Sequence, residues 1–217
     1  MTVGLIDQYL KAQHDRVRKN HLQLIGVTAL FIAAKYEEIA PVGIADICYM
    51  TDNAYTKGNV RRMERRLLST LDFKLGHPGA YSFLRKMANK LGIPPKSRVF
   101  ETAQYAQELA LVEYKLSHVP PSKIALAGLT FAHKVHEGQE GISKMWSTEI
   151  ERHFRSDFAH IYGTVRKLAK LVLIEVKNEK KLQAVRNKYK HIHCLVTGTN
   201  AKVQLIKDLA KGYGLLS

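Results

Sequence analysis

Apolar residues along this chain recur at helical rather than strand spacing. Leu22, Leu24, Ile25, Val27, Leu30, Phe31 and Ile32, with Ala33 and Ala34, leave residues 20–38 almost no polar face. A helix that is apolar all round belongs inside a ring of other helices. Asn20 is a candidate N-cap for it and Pro41 a stop. Residues 3–12 predict a shorter helix before it, and 43–50 another after it. The run TDNAYT predicts a turn. Thr56 then caps a helix over 57–71, with Val60, Met63, Leu67, Leu68 and Leu71 on its inner face and Arg61, Arg62, Arg65 and Arg66 opposite. No alternating run bounded by turn residues, of the kind a β-hairpin needs, is present.

The segment LGHPG, residues 75–79, breaks the periodicity and divides the chain into two expected domains, 1–77 and 78–217. A second helical set is predicted over 79–91, 98–117, 121–136, 147–155 and 158–177. In the third of these, PPSKIALAGLTFAHKV, proline opens a helix of small and apolar residues, again suited to a central position. Beyond residue 180 the pattern predicts a basic helix, KKLQAVRNKYKH, and an amphipathic segment near 201–211. The fold class is all-α, with a loose two-fold repetition of a five-helix unit, each unit built around one very apolar helix.

Charge and chemistry refine this picture. The 217 residues carry a net charge of +15. Residues 1–77 hold eleven Lys and Arg against eight Asp and Glu, so twelve of the fifteen excess charges fall in residues 78–217. A basic excess points to acidic partners, whether phosphorylated or acidic proteins or nucleic acid. The two cysteines, Cys48 and Cys194, form neither a CxxC pair nor a zinc spacing, and reduced thiols suit the cytosol or nucleus. The opening stretch is interrupted by Asp7, Gln8 and Lys11 and is not read as a signal peptide. No apolar run reaches the roughly 18–20 residues of a membrane span. Dinucleotide, P-loop, zinc-protease and nucleophile-elbow motifs are all missing. His191, His193 and Cys194 lack the further ligands a metal site requires. No enzyme activity, metal or cofactor is expected.

Residues 22–76, LQLIGVTALFIAAKYEEIAPVGIADICYMTDNAYTKGNVRRMERRLLSTLDFKLG, resemble the cyclin box of B-type mitotic cyclins. KYEE, TDNAYT, the later ME and the LDF at the helix end stand in the family's order. GHPGAYSFLRK, VPPSKIALAG and VRNKYKH then follow in the order of the C-terminal cyclin fold. The resemblance implies tandem helical boxes that bind a cyclin-dependent kinase and press on its C-helix, so that a kinase glutamate reaches the lysine that positions the ATP phosphates. It implies that Lys35 and Glu64, 29 positions apart, meet and grip the backbone beside that C-helix. It implies apolar kinase contacts at Phe73 and Leu75, and interface-rim positions at Glu37 and Glu38. Gln23 matches the one polar residue that the central helix gives to a substrate-docking groove.

The resemblance also carries departures. The first helix of the first box is expected to be missing, which would expose apolar area on helix 20–38 and leave Asp7, partly buried, without its arginine partner. The prolines usual after KYEE read APVG here. An RxxL run, Arg65 to Leu68, lies within a core helix and is not expected to act as a destruction signal. The readings that stay open are a kinase-activating cyclin resident in nucleus and cytoplasm, a nucleic-acid-binding cyclin fold of the transcription factor IIB type, and a truncated relative that does not activate. Among partners, the kinase catalytic subunit leads, nucleic acid is disfavoured and a membrane is not expected.

Overall fold

A computed structural model describes residues 1–145, 158–176 and 183–213, so the helix expected over 147–155 lies outside the described residues. The chain divides into two compact units, Met1–His77 and Pro78–Ser217. Among the described residues the regular structure is helical, and no helix is long and apolar enough to cross a membrane.

In the first unit, α1 spans Thr2–Ala12, α2 Leu22–Glu37, α3 Ile44–Tyr49 and α4 Lys57–Thr70. Helix α2 is the centre, packing against α1, α3 and α4. Ile25, Ala29, Ile32 and Ala33 meet Leu5 and Tyr9 of α1 and Met63, Leu67 and Leu71 from α4 and its end. On another side Phe31 meets Ile47, Cys48 and Val60. The enclosure is incomplete, because Leu22 and Leu30 remain exposed. Asn20 does not cap α2. It lies in a 3-10 turn, Lys19–His21, and the cap position falls to His21 without a side-chain hydrogen bond.

Helix α4 begins as its sequence suggests. Thr56 Oγ1 accepts from the Asn59 backbone N–H at 3.2 Å, and Asn59 Oδ1 accepts from the Thr56 N–H at 2.9 Å. This reciprocal box satisfies two otherwise orphaned donors. Val60, Met63, Leu67 and Leu71 are buried, Leu68 is half-buried, and the four arginines face solvent. In the preceding turn Asp52 and Asn53 both take positive φ, the left-handed region that these two residue types tolerate best.

In the second unit, α5 spans Ala80–Lys90, α6 Arg98–Leu111, α7 Pro121–Met145, α8 Phe158–Val176, α9 Ala184–Lys188, α10 Lys190–Thr197 and α11 Asn200–Lys211. Helix α7 is central, packed by α5, α6, α8 and α11, and every residue from Ile124 to Val135 is buried. The hydroxyl of Thr130 is satisfied inside this apolar helix by donating to Leu126 O at 2.9 Å. Helical backbone continues past the expected end at residue 136 but is broken at Gly138, where φ is 67°.

Two expected helices are divided. The stretch 98–117 ends as α-helix at Leu111. Glu113 turns extended, its carboxylate accepts from Lys115 N–H, and a 3-10 turn, Tyr114–Leu116, buries Leu116. The basic tail helix breaks at Tyr189, between α9 and α10. That ring is buried, lies 5.6 Å from the Tyr105 ring, and its hydroxyl donates to Glu108 Oε1 at 2.6 Å. Lys188 pairs with the same carboxylate at 2.7 Å. Part of the basic tail segment therefore anchors it to α6.

Two imidazoles, His193 buried and His136 half-buried, are expected to make this unit pH-sensitive. His136 Nε2 and Thr102 Oγ1 are 2.8 Å apart, and His193 Nδ1 and Tyr105 OH 3.0 Å. Burial, with the charges of Lys202 and Arg98, pushes His136 down to about 4 from an ordinary 6.5, and burial with Arg186 pushes His193 down. Between those values the unfolded chain binds protons that the folded chain refuses, so stability is lost as pH falls from about 6.5 toward 4. A thermal melt at pH 5 should show a lower Tm than at pH 7, and His136→Gln should shrink that difference.

Candidate protein-binding surface

Lys35 stands in the last turn of α2, where the helix dipole favours a cation. Its ammonium lies 4.3 Å from the Phe31 ring centroid, so an aromatic ring from the previous turn supports it. It donates to Glu64 Oε1 on α4. The lysine side chain is 42% exposed and the glutamate 14%, so the carboxylate is largely covered while part of the ammonium remains available. A lysine has three donors, so one N–H in the ion pair leaves others for a partner. The residues brought together from 29 positions apart are thus a held cation, aimed by a carboxylate that has little freedom to move.

Around this pair the surface is mixed. Tyr36 is 58% exposed and Ile39 fully so, both continuing the chain past Lys35. A Cβ at Gly76 would meet the Tyr36 hydroxyl at 2.9 Å, which places Tyr36 against the segment that follows α4. In that segment Phe73 is 69% exposed, whereas Leu75 is partly buried and packs on the α1–α2–α4 core. The two apolar positions expected together as contacts are therefore separated in role: Leu75 fixes the segment and Phe73 projects from it. Asp72 and Phe73 both take positive φ, 50° and 54°. Aspartate tolerates such backbone, but for phenylalanine it is strained, and strain of this kind persists where the surrounding structure holds it in place. A hydrogen bond from Lys74, and its charge, hold the Asp72 carboxyl below its usual value, but this fully exposed pair adds little to stability.

The remaining expected positions fall elsewhere. Glu37 and Glu38 are exposed at the end of α2, and the Glu38 backbone N–H closes the helix on Ala34 O at 2.9 Å. Gln23 lies at the opposite end of α2, where Tyr55 donates to its Oε1 at 3.4 Å, so it takes no part in the Lys35 surface. Asp7 is exposed and has no hydrogen bond or ion pair among the described residues. Partial burial raises its carboxyl above the ordinary value, and solvent keeps the cost below that of an enclosed charge. Reading the sequence singled out neither Tyr36 nor Ile39. The signal available was two large apolar residues next to the charges of KYEE, outside the helical inner face. His191, His193 and Cys194 do not converge: His193 bonds Tyr105, His191 lies 3.6 Å from Glu101, and no group of potential metal ligands gathers among the described residues.

The surface thus offers a positioned ammonium, exposed aromatic and aliphatic side chains and flanking charge. That combination suits association with another protein. Comparison with known proteins gives it a family. Residues 1–76 match the cyclin N-terminal domain and residues 78–201 the cyclin C-terminal domain. The chain belongs to the cyclin family. It is similar to G2/mitotic-specific cyclin-B1 of Anguilla japonica, 37% identical over 97% of this chain and 51% of that protein. It is also similar to G2/mitotic-specific cyclin-B of Marthasterias glacialis, 41% identical over 87% of this chain and 46% of that protein, and of Patella vulgata, 39% identical over 87% and 44%. The chain spans about half the length of the curated relatives it matches. A viral cyclin of herpesvirus saimiri aligns over 100% of this chain and 86% of its own with 16% identity and a TM-score of 0.49, too slight a likeness to carry an argument.

The strain after α4 is testable without a partner. Left-handed backbone costs an L-residue about 1–2 kcal/mol, and glycine's larger unfolded-state entropy offsets about half of that. Phe73→Gly should raise stability by up to about 1 kcal/mol in urea unfolding, and Asp72→Gly should raise it less, since aspartate tolerates this backbone. Loss of stability in both would show that the side chains hold the segment rather than being held by it.

Proposed function

We propose that this chain is a non-catalytic regulatory subunit that binds the catalytic subunit of a mitotic cyclin-dependent kinase and activates it for G2/M progression. The observation that carries the reading is the Lys35–Glu64 pair, held between α2 and α4 and bordered by exposed Tyr36, Ile39 and Phe73. The similarity to G2/mitotic-specific cyclins supplies the cell-cycle context. In this reading Lys35 donates to backbone carbonyls beside the kinase C-helix, Glu64 keeps it aimed, Phe73 fills an apolar site on the kinase and Leu75 backs Phe73. Glu38 stands at the rim. Activation is differential binding. The surface fits the active arrangement of the kinase C-helix better than the inactive one and shifts the population toward it. The chemistry belongs to the kinase. Residence in nucleus and cytoplasm follows from this role, and the two free thiols, Cys48 and Cys194, suit a reducing compartment.

Titration of the purified chain into a monomeric mitotic cyclin-dependent kinase tests the reading. Saturable binding is expected, together with a rise in kinase activity. Lys35→Ala removes the donor that the partner backbone needs and should weaken binding by about 2–5 kcal/mol. Binding that is indifferent to Lys35→Ala would move the interface elsewhere. Binding without activation would leave the chain as a docking relative.

A further inference from the structure

The basic excess of the first unit is concentrated on one helix. Helix α4 holds five of the eleven Lys and Arg in residues 1–77 and one of the eight Asp and Glu, so the rest of the unit carries a net charge of −1. The single acid, Glu64, is committed to Lys35. Arg61, Arg62, Arg65 and Arg66 are exposed, and none has a hydrogen bond or ion pair among the described residues. Lys57–Arg61, Arg61–Arg65 and Arg62–Arg66 are like-charge pairs at i,i+4, each of which disfavours the helix. Cations gathered at this spacing, with no carboxylate placed to relieve them, call for a compensating charge from outside.

Helical geometry divides the cations into two sets. At about 100° per residue, Lys57, Arg61 and Arg65 lie within about 100° of Glu64 around the axis, whereas Arg62 and Arg66 lie about 160° away on the far side. The near set forms a ridge about 12 Å long beside the Lys35–Glu64 pair. Leu68 stands on the same flank, and Phe73 follows the helix end. The far set has no such neighbours.

Resting on the kinase reading above, we propose that Lys57, Arg61 and Arg65 form an electrostatic extension of that docking surface, and that the partner presents an acidic segment, carboxylates spread over about 12 Å, against this ridge. The ridge speeds encounter and fixes register, and the Lys35-centred contact supplies the anchor. The nearby exposed aromatic and aliphatic side chains favour a protein partner over a phosphate backbone, because arginine beside aromatic surface is the composition of protein interfaces.

Two variants with the same charge change on the same helix test this: Arg61→Gln/Arg65→Gln and Arg62→Gln/Arg66→Gln. Each is titrated, in the full chain and beside Lys35→Ala, against a monomeric mitotic cyclin-dependent kinase at low and high salt, after thermal melts confirm that both fold. At low salt the first is expected to lower affinity about ten-fold or more and to flatten the salt dependence, and the second to change affinity less than about three-fold, with the difference vanishing at high salt. Equal effects of the two variants would show a general charge effect and overturn the proposal. So would no effect of either while Lys35→Ala abolishes binding, an outcome that leaves the kinase reading standing. Failure of the unaltered chain to bind at any salt removes the kinase reading and this proposal with it. Tight binding to a 20-base-pair duplex, lost in Arg61→Gln/Arg65→Gln while kinase binding is unchanged, would assign the ridge to nucleic acid instead.

Discussion

The contact between α2 and α4 is the constraint on which the candidate surface depends. Ile25, Ala29, Ile32 and Ala33 on one helix and Met63, Leu67 and Leu71 on the other lock the two in register, and that register carries Lys35 to Glu64 at the end of α2. The ion pair adds little to stability, being half open to solvent. Its value is directional. Apolar packing decides where the helices lie, and the pair converts that placement into a donor with one orientation. The strained turn at Asp72 and Phe73 depends on the same packing, since Leu75 anchors the segment to the core that α2 and α4 share.

The second unit solves a different problem with similar means. Helix α7 is buried from Ile124 to Val135, and two of its polar side chains find partners within the helix, Thr130 on Leu126 O and His133 Nδ1 on Glu137 at 2.9 Å. The tail is held by a small polar network, Tyr189 and Lys188 on Glu108 and His193 on Tyr105. Buried polar networks specify one arrangement at the expense of pH tolerance. His193 takes part in both, through its contact with Tyr105 and its lowered pKa.

Much of this was legible in the sequence. Helical class, the central helices α2 and α7, the Thr56 cap and the inner face of α4 follow from periodicity and capping chemistry. What escaped depends on long-range packing. The break at Tyr189 could not be read locally, because it exists to bury that ring against Tyr105, 84 residues earlier. The end of α6 at Leu111 was hidden by residues that all tolerate helix, and it is set by the burial of Leu116. Asn20 has cap chemistry, but the chain enters α2 through a 3-10 turn. In the candidate surface, periodicity alone would leave Lys35 and Glu64 as two unrelated charges. Resemblance to B-type cyclins links them, and the packing of α2 on α4 gives the physical reason that they meet. The separation of Leu75 from Phe73 was not visible, since both are apolar and only the positive φ at Phe73 turns one of them outward.

Hydrogen exchange of the full chain, alone and mixed with a monomeric mitotic cyclin-dependent kinase, tests the central claim most directly because it maps the interface without altering it. The account predicts slowed exchange over residues 33–39 and 60–76, with no comparable change around Gln23 and Tyr55. Protection confined to other segments, with these two at their free rates in a saturated complex, would contradict it.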